Sequence, residues 1–384
     1  MKIGIITVSF PTISETFISN KVLHLTKRGH NVVVFCDSIN TALFNTIFPG
    51  NSNIKVFAFS KANIAKFAAL HPFALLTARK ESSLKKSISN KARLYYINKY
   101  NLDILHAEFS GIGTLFLPVF KKITAKTLVS CRGSAEKVKL LVFENRQEKI
   151  KVLFDEVDAI HCVSGDMRQT ILPYCKNPTK IFINYPSIDE NIFSRTHPYP
   201  SNGILQILSI GRFTFQKGYL TGLLAIKRLK ESFNDFIWTI VGDGNQREEI
   251  IFHIHQMGLQ KHVLLAGSKN RAEIIELYNK TDIFFLPSVY EGIANVALEA
   301  MSMQLPVVAT KSGGMEEVIT HNYDGLLAGI YDSDALASHL LYLANSREKR
   351  ITLGIQARQR IIQSFTIAKQ VDIFETEYKK LLTN

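Results

Sequence analysis

The sequence predicts an α/β protein of two domains, each built on an open parallel sheet. Short apolar runs of strand length, such as Asn31–Cys36 and Asp282–Leu286, alternate with segments of helical periodicity. The length of 384 residues is enough for two domains that each bury a core. Strands that alternate with helices in this way indicate parallel strands joined by helical crossovers.

The predicted first domain, residues 1–193, opens with a strand through Val8, a polar loop and a helix. Ser14 or Thr16 is the expected N-cap of this helix, and Gly29 is expected to end it. The opening lacks the G-x-G-x-x-G pattern, which argues against a dinucleotide cofactor. The further segments predicted in this domain are the strands Asn31–Cys36, Leu102–Ala107, Ala125–Ser130, Ala159–Val163 and Ile181–Asn184, with a loop from Glu108 to Gly113.

Residues 61–100 form a strongly basic segment. Nine lysines and arginines stand against one acid, Glu81, so nine minus one leaves eight net positive charges. Interleaved apolar residues predict amphipathic helices, which can lie on an anionic membrane surface. An ordinary helical excursion with a solvated basic face is the open alternative. The net charge of +13 would also suit nucleic acid, but no nucleic-acid-binding motif occurs. We therefore predict membrane contact and no nucleic-acid partner.

The predicted second domain spans residues 204–365, after a linker, 194–203, that contains two prolines. Its first strand leads into the pattern G-R-x-x-x-x-K-G, which contains Arg212 and Lys217. A strand end and a helix start then bring two cations and free backbone amides together, as a diphosphate requires. The strands predicted here are Leu205–Ile210, Ile237–Val241, His262–Gly267, Asp282–Leu286, Pro306–Ala309 and Leu326–Ala328, before a closing helix at 366–384.

Two glutamates lie in the stretch that follows Leu286. Glu291 is in a turn-prone loop, and Glu299 is about a turn and a half into a helix predicted over residues 294–303. Both side chains can therefore face one site at the carboxyl end of a strand. Two solvated glutamates on an amphipathic helix would be the plainer interpretation. The Gly-Gly turn at residues 313–314 makes the pattern more specific.

Three motifs together resemble the donor-sugar site of retaining glycosyltransferases of family four. They are G-R-x-x-x-x-K-G, E-x7-E with Gly292, and Gly313-Gly314-x-x-Glu317. The run FPTISETFI near the start resembles polysaccharide-building members of the colanic-acid and amylovoran type. The resemblance implies the GT-B fold class, in which two Rossmann-like domains with parallel sheets face each other across a cleft. It places the acceptor mainly on the first domain and the nucleotide sugar on the second.

The resemblance also implies residue roles. Arg212 and Lys217 would stabilise the departing diphosphate, Glu291 would hold donor-sugar hydroxyls, and Glu299 would hold the ribose. The other residues implied at the donor or nucleotide site are Gly211, Gly242, Gly244, Gly292, Ile293, Ala294 and Asn295. The residues implied on the acceptor side are Ser14, Glu15, Thr16, His106 and Arg132.

Arg132 departs from the family pattern, because many members carry a histidine at this position. An arginine stays protonated and cannot act as a base, but it can bind phosphate or an acceptor carboxylate through two hydrogen bonds. A purely structural role stays open for both His106 and Arg132. Tyr185 stands where the family usually has glycine, so the resemblance is weaker on the acceptor side.

No metal and no cofactor are predicted, and the nucleotide diphosphate sugar serves as co-substrate. The D-x-D spacing of Asp332 and Asp334 precedes a predicted helix, where Asp332 is expected to be the N-cap. Four cysteines lack metal-like spacing, and no apolar run reaches transmembrane length. We therefore predict a cytoplasmic enzyme with peripheral contact to the inner face of the cell membrane.

The predicted function is metal-independent, hexosyltransferase-type glycosyl transfer with retention of configuration. The sugar would move from a nucleotide diphosphate sugar to a glycan or lipid-linked oligosaccharide in cell-surface polysaccharide synthesis, such as a capsule, exopolysaccharide or lipopolysaccharide. A nucleotide-sugar epimerase of the same fold and a catalytically silent nucleotide-sugar-binding subunit are the alternatives. Motifs do not identify the sugar, the base or the acceptor, because loop shape selects them.

Overall fold

The chain forms two compact units in the computed structural model, which describes residues 1–12, 15–50, 53–73, 83–199 and 203–383. The first unit comprises Met1–Val163, Met167–Asn184 and Ile367–Asn384, and the second comprises Ser164–Asp166 and Tyr185–Thr366. Before the C-terminal helix, the last residue of the first unit is Asn184, whereas the sequence prediction extended that domain to Phe193. The C-terminal helix belongs to the first unit.

The first unit contains a seven-stranded sheet in which every pair is parallel. Its strands are β1 (Lys2–Ile6), β3 (Asn31–Cys36), β5 (Ile54–Ala58), β6 (Ile104–Ala107), β7 (Lys126–Cys131), β8 (Ala159–Cys162) and β9 (Ile181–Ile183). They lie in the order β5-β3-β1-β6-β7-β8-β9. Two short strands, β2 (Ser9–Phe10) and β4 (Ser38–Ile39), pair with each other.

Helices connect these strands. They are α1 (Thr16–Lys27), α2 (Thr41–Ile47), α3 (Lys61–Leu70), α4 (Leu84–Asn98), α5 (Ser110–Phe120), α6 (Ser134–Lys137), α7 (Lys139–Val142), α8 (Glu144–Glu156) and α9 (Gly165–Ile171).

Alternation along the strands gives the first sheet a core on each face. On β3, Val32 and Val34 pack in one cluster, while Val33 and Phe35 pack in the other. This follows from the period of two of a strand, which sends successive side chains to opposite faces. The C-terminal helix adds Phe374 to the Val34 side.

The second unit contains a six-stranded parallel sheet in the order β12-β11-β10-β13-β14-β15. Its strands are β10 (Leu205–Ile210), β11 (Phe236–Val241), β12 (Val263–Gly267), β13 (Ile283–Leu286), β14 (Val307–Thr310) and β15 (Leu326–Ala328). The remaining helices are α10 (Tyr219–Ser232), α11 (Arg247–Gln256), α12 (Arg271–Lys280), α13 (Asn295–Ser302), α14 (Met315–Val318), α15 (Ser333–Ala344), α16 (Arg347–Ser364) and, in the first unit, α17 (Ile367–Thr383). No helix among the described residues is both long and apolar enough to span a membrane.

Three local predictions differ from the structure. The first strand ends at Ile6 rather than Val8. Helix α1 has Glu15 at its N-cap with no side-chain bond, so Thr16 is the first helical residue, and Ser14 lies outside the described residues. Helix α5 begins at Ser110, within the predicted loop. An added Cβ at Gly113 would lie 2.9 Å from Val129, so close packing on the sheet outweighs the low helix propensity of glycine here.

Candidate functional site

The structure brings Lys217 and Glu291 into direct contact. Lys217 Nζ donates to Glu291 Oε1 at 2.7 Å, and the two side chains are only 15% and 7% exposed. Glu291 also accepts hydrogen bonds from Ser288 Oγ at 2.8 Å and from Gln216 Nε2 at 3.1 Å. One charged and two neutral donors therefore fix the orientation of the carboxylate.

The loop that carries Lys217 fits against the loop after β13 through its backbone. The Val289 N–H donates to the carbonyl of Gln216 at 2.8 Å. Gly218 has φ +62°, and an added Cβ would lie 2.1 Å from the carbonyl oxygen of Pro287. Only glycine allows this approach and this conformation. Neighbouring strands β10 and β13 thus deliver Lys217 and Glu291 to one place.

The Gly-Gly turn after β14 supports Glu291 from the other side. Gly313 has φ +61°, and an added Cβ there would lie 1.9 Å from the carbonyl oxygen of Glu291. The Gly314 N–H donates to the carbonyl of Gly292 at 2.8 Å. The motif residues Gly292, Gly313 and Gly314 therefore act through close backbone contact rather than through side chains.

Glu317, the last residue of this motif, is already engaged within the protein. Its two carboxylate oxygens accept the backbone N–H groups of Gly165 and Asp166 at 2.7 and 2.9 Å. These residues form the start of α9 and cluster with the second unit. A carboxylate at this position satisfies free N–H groups of a first helical turn.

Arg212 follows β10 and is exposed. Its side chain makes no hydrogen bond with the residues that the structure describes, so it is open to a ligand. The loop that holds it packs on the turn after β11: an added Cβ at Gly242 would lie 2.0 Å from the carbonyl oxygen of Gly211, and one at Gly244 would lie 2.5 Å from that of Phe213. These three predicted glycines therefore shape the backbone beside Arg212.

Glu299 has a different hydrogen-bond partner from those of Lys217 and Glu291. Its Oε2 accepts from the hydroxyl of Tyr278, on α12, at 3.1 Å. Burial raises the pKa of Glu299 to about 7, against the lowering effect of the Tyr278 hydrogen bond. Glu299 is therefore a carboxyl group that titrates close to neutral pH.

The start of α13 offers backbone rather than side chains. Ile293 and Ala294 are 8% and 4% exposed and pack in the core of the second unit. Helix α13 begins at Asn295, and no side chain caps it. Uncapped N–H groups of a first turn attract anions. The predicted donor contacts of Ile293 and Ala294 can therefore come only from their main chain.

His106 lies in the interior of the first unit and is 0% exposed. Its Nδ1 pairs with the hydroxyl of Tyr378 at 2.7 Å, and its Nε2 pairs with Ser130 Oγ at 2.8 Å. Ser130 Oγ also contacts Nδ1 of the buried His161 at 2.8 Å. Burial holds the pKa of His106 well below its usual range, so the ring is neutral. These contacts therefore support a structural role for His106 instead of the predicted contact with the acceptor.

Arg132 stays near the surface of the first unit, with its side chain 10% exposed. Its Nη2 donates to Glu108 Oε2 at 2.7 Å. Of the other predicted acceptor residues, Glu15 is half-buried and burial raises its pKa. Thr16 begins α1, and Ser14 lies outside the described ranges. Arg132 and Glu15 are thus the charged candidates that the structure keeps on this side.

The D-x-D spacing has a structural explanation. Asp332 Oδ1 accepts the N–H of Ala335 at 2.9 Å, which confirms the predicted N-cap. Asp334 pairs with Nε of Arg228 at 2.7 Å. No group of three His, Cys, Asp or Glu side chains that could hold a metal occurs within the part of the chain that the structure describes.

The sequence motifs did not identify the residues that hydrogen-bond to Glu291 and Glu299. Gln216 and Ser288 lie one and three residues from Lys217 and Glu291, so inspection of the neighbouring positions could have suggested them. Tyr278 is 21 residues from Glu299 and carries no motif. Such long-range partners become visible only in the fold.

Two family models match consecutive parts of the chain. The model of Glycosyltransferase Family 4 matches residues 14–191, and that of Glycosyl transferases group 1 matches residues 198–360. The chain is 26% identical to the amylovoran biosynthesis glycosyltransferase AmsK of Erwinia amylovora, over 95% of this chain and 96% of that protein. It is also 26% identical to the UDP-Gal:alpha-D-GlcNAc-diphosphoundecaprenol alpha-1,3-galactosyltransferase of Escherichia coli, over 82% and 85%.

Solved structures share the fold. Anabaena Alr3699/HepE in complex with UDP and glucose superposes with a TM-score of 0.80 at 16% identity, covering 99% of this chain and 100% of that chain. Sucrose-phosphate synthase from Thermosynechococcus elongatus superposes with a TM-score of 0.79 at 18% identity, covering 100% and 99%. These likenesses confirm the predicted α/β fold class, GT-B.

Proposed function

The chain belongs to the family 4, group 1 glycosyltransferases, and we propose that it transfers a hexosyl group from a nucleotide diphosphate sugar to a glycan or lipid-linked acceptor, with retention of configuration. The observation that carries this proposal is the Lys217–Glu291 pair. The side chain of Lys217 lies against Gly211, and the exposed cation of Arg212 is the next residue. A diphosphate needs cations and a sugar needs a fixed hydrogen-bond acceptor, and this site combines both.

In the proposed reaction, the bond between the sugar C1 and the diphosphate oxygen breaks, and the diphosphate leaves with the electron pair. The acceptor hydroxyl oxygen bonds to C1 on the same face, and its proton passes to the leaving phosphate. Arg212 and Lys217 stabilise the negative charge as it develops. No metal ion is required for this, because two side-chain cations and backbone amides supply the positive charge.

The ion pair gives Lys217 a second role. In the structure, its ammonium donates a hydrogen bond to Glu291. When the diphosphate binds, Lys217 turns to it and leaves Glu291 Oε1 to a donor-sugar hydroxyl. Ser288 and Gln216 keep the carboxylate aligned during this exchange. Sugar binding and diphosphate binding are thereby coupled through one contact.

Features of the relatives support the choice of substrates. The Escherichia coli relative is named for a UDP-sugar donor and a diphosphoundecaprenol-linked acceptor, and AmsK is named for amylovoran biosynthesis. HepE has been solved with UDP and with UDP-glucose. We propose a nucleotide diphosphate sugar as donor, with Glu299 at the ribose, and a role in cell-surface polysaccharide synthesis.

The basic segment supports a further proposal, contact with the inner face of the cell membrane. Within it, Leu70, Phe73 and Leu84 are 62%, 80% and 43% exposed, beside exposed lysines of α3 and α4. Arg93 does not contribute, because it is buried with its guanidinium 4.6 Å from the ring of Phe116. Arg79 and Lys80 lie outside the described residues. Exposed apolar groups among lysines are suited to an anionic bilayer surface.

The direct test is Arg212→Ala. Arg212 is exposed and makes no hydrogen bond with described residues, so its loss leaves the fold intact while removing a diphosphate contact. We expect turnover to fall by about 10² to 10³, the usual cost of losing one electrostatic contact to a transition state. Turnover is measured with a panel of nucleotide sugars and extracted lipid-linked acceptors, and NMR gives the anomeric configuration of the product.

Lys217→Ala should give a comparable loss, whereas Lys261→Ala, an exposed lysine of the same unit, should leave turnover unchanged. Near-normal turnover of the Arg212 and Lys217 variants would contradict the proposed site. An inverted product would contradict retention. The assay is run with and without a chelator, and loss of wild-type turnover in the chelator would contradict metal independence.

A further inference from the structure

The guanidinium of Arg132 is held on two sides. Its Nε donates to the carbonyl oxygen of Glu108 at 3.2 Å, and its Nη2 donates to the carboxylate of the same residue at 2.7 Å. Its plane lies over the ring of Phe17, with the central carbon 4.4 Å from the ring centroid. Nine-tenths of the side chain is removed from water. Arg132 is therefore fixed in place, unlike an ordinary surface arginine.

Glu108 is in turn held by a buried lysine. Lys21 forms an ion pair with Glu108 Oε1, and the two side chains are 1% and 0% exposed. Burial lowers the pKa of Lys21 to about 8, so it is still mostly protonated at neutral pH. Burial alone would raise the pKa of Glu108, but Lys21 and Arg132 together hold it below its usual value. The buried carboxylate of Glu108 thus forms ion pairs with two cations, Lys21 and Arg132.

One edge of Arg132 is not used by the protein. Its Nη1 donates to no atom of the residues that the structure describes, and the neighbouring carboxylate of Glu136 is occupied by the backbone N–H groups of Arg132 and Gly133, at 3.2 Å each. Arg132 lies close enough to Glu15 to lower the pKa of its carboxyl group, although burial raises that pKa by more. Arg132 and Lys21 share the single carboxylate of Glu108, so an anion at the open edge of Arg132 would balance the second positive charge, which is costly to bury without compensation.

We propose that Arg132 binds an anionic group of the acceptor, and that Lys21 and Glu108 are positioning residues that aim its open edge. This inference rests on the proposed glycosyl transfer and names the class of acceptor that the first unit takes. The recognised chemistry is a phosphate or carboxylate oxygen, which a planar guanidinium binds through parallel N–H groups. Its sources are the diphosphate of a lipid carrier or the carboxylate of an acidic sugar.

The test measures anion binding and does not depend on transfer. Inorganic pyrophosphate and methyl glucuronide are titrated separately into the full chain carrying Arg212→Ala, which weakens anion binding at the donor site. Adding Arg132→Gln should lower the affinity for at least one probe by about tenfold or more, as expected for a charged hydrogen bond. Adding Lys122→Gln, a change at an exposed lysine of the same unit, should leave both affinities unchanged.

The two probes identify the source of the anion. A loss for pyrophosphate alone indicates a lipid diphosphate, a loss for methyl glucuronide alone indicates an acidic sugar, and a loss for both indicates an anion site open to either. Unchanged affinities for both probes would overturn the proposal and leave the proposed glycosyl transfer standing. Arg132→Lys keeps the charge without the planar fork, so it decides the test if Arg132→Gln fails to fold.

The positioning role has its own readout. In arginine-labelled protein, the Nε–Hε NMR signal of Arg132 is assigned by its absence in Arg132→Lys and should shift with the effective probe. Changing Lys21 and Glu108 together to glutamine removes both charges from the interior. The Nη2 protons of Arg132, which donate to the Glu108 carboxylate, should then exchange faster with water, and the probe affinity should fall. An unchanged exchange rate would overturn the positioning role.

Discussion

At the residue scale, the second unit holds two glutamates in different surroundings. Glu291 has a cation, Lys217, and two neutral donors around its carboxylate. Among the residues that the structure describes, Glu299 accepts a hydrogen bond from the hydroxyl of Tyr278, and its nearby cation is Arg271. Burial raises the pKa of this carboxyl group by more than Tyr278 and Arg271 lower it, so the protonated form of Glu299 is favoured. The E-x7-E pattern could be found in the sequence, but this difference between its members depends on partners far along the chain.

Glu299→Gln should therefore change how stability responds to pH. The pKa of Glu299 is about 7 in the folded protein and near the ordinary 4.5 when unfolded. A raised folded pKa means that the folded state binds the proton more tightly. Its stabilising contribution is full below pH 4.5 and is lost as pH rises through 7. The expected loss is at most about 3 kcal/mol in the free energy of unfolding, measured by urea denaturation.

Glu299→Gln should not show this loss of unfolding free energy as the pH rises through 7. Glu248→Gln, a change at an exposed glutamate of the same unit, should still show it. Ribose hydroxyls donate best to the ionised carboxylate, so wild-type affinity for UDP should rise more steeply across pH 7 than that of Glu299→Gln. The phosphate titrates in both proteins and cancels in the comparison. Identical pH profiles for the two proteins would contradict the role assigned to Glu299.

At the scale of elements, the sequence predicted most strands because their apolar runs are short and bounded. The strand Leu205–Ile210 was placed correctly at both ends, and the site-bearing helix at 294–303 was placed to within a residue at each end. The error at α5 has a tertiary cause, because glycine lets that helix lie against the sheet. Patterns of single residues cannot show such packing, since it depends on the partner surface.

Gly313→Ala should damage the site more than its backbone strain explains. Gly313 and Gly258 have nearly equal φ values, +61° and +64°. An alanine at either position meets a strain of about 1–2 kcal/mol. At Gly313 the new Cβ would also lie 1.9 Å from the carbonyl oxygen of Glu291, whereas nothing lies within 4 Å at Gly258. The loop of Glu291 must therefore move in Gly313→Ala alone.

We expect Gly258→Ala to lose stability modestly and keep its turnover. Gly313→Ala should lose more stability, measured as the free energy of unfolding, and its turnover should fall by about tenfold or more, because a small displacement of a positioned group is costly. Equal effects of the two substitutions would show that the contact with Glu291 has no consequence, and the proposed support of the site by this turn would be wrong.

At the scale of the whole molecule, long-range contacts carry what the sequence could not predict. His106 bonds to Tyr378, 272 residues away, and thereby ties the C-terminal helix into the first unit. The sequence marked His106 as polar at a strand end, a place where ligands often bind in parallel sheets. A buried partner converts such a residue into a structural one. Net charge, by contrast, is fully known from the sequence, and only its distribution requires the structure.

The effect of where the positive charge lies can be tested in the basic segment, residues 61–100. We compare Lys→Glu changes at four exposed lysines of α3 and α4 with the same changes at four exposed lysines of the second unit. The first set is Lys61, Lys66, Lys85 and Lys86, and the control set is Lys227, Lys261, Lys280 and Lys349. Each change replaces a positive charge by a negative one and so lowers the net charge by two, which takes either set from +13 to +5. The two proteins then differ only in where the charge is lost.

Binding is measured by sedimentation with vesicles of phosphatidylcholine alone and with added phosphatidylglycerol. Each lysine near an anionic leaflet contributes about 1 kcal/mol, so the first set should lower affinity for the anionic vesicles by about tenfold or more. The control set should lower it less, because attraction falls off within a Debye length of the surface. Equal losses would mean that net charge alone drives binding. Unchanged binding of the first set would exclude α3 and α4 from membrane contact, and the exposed Leu70, Phe73 and Leu84 would then need another explanation.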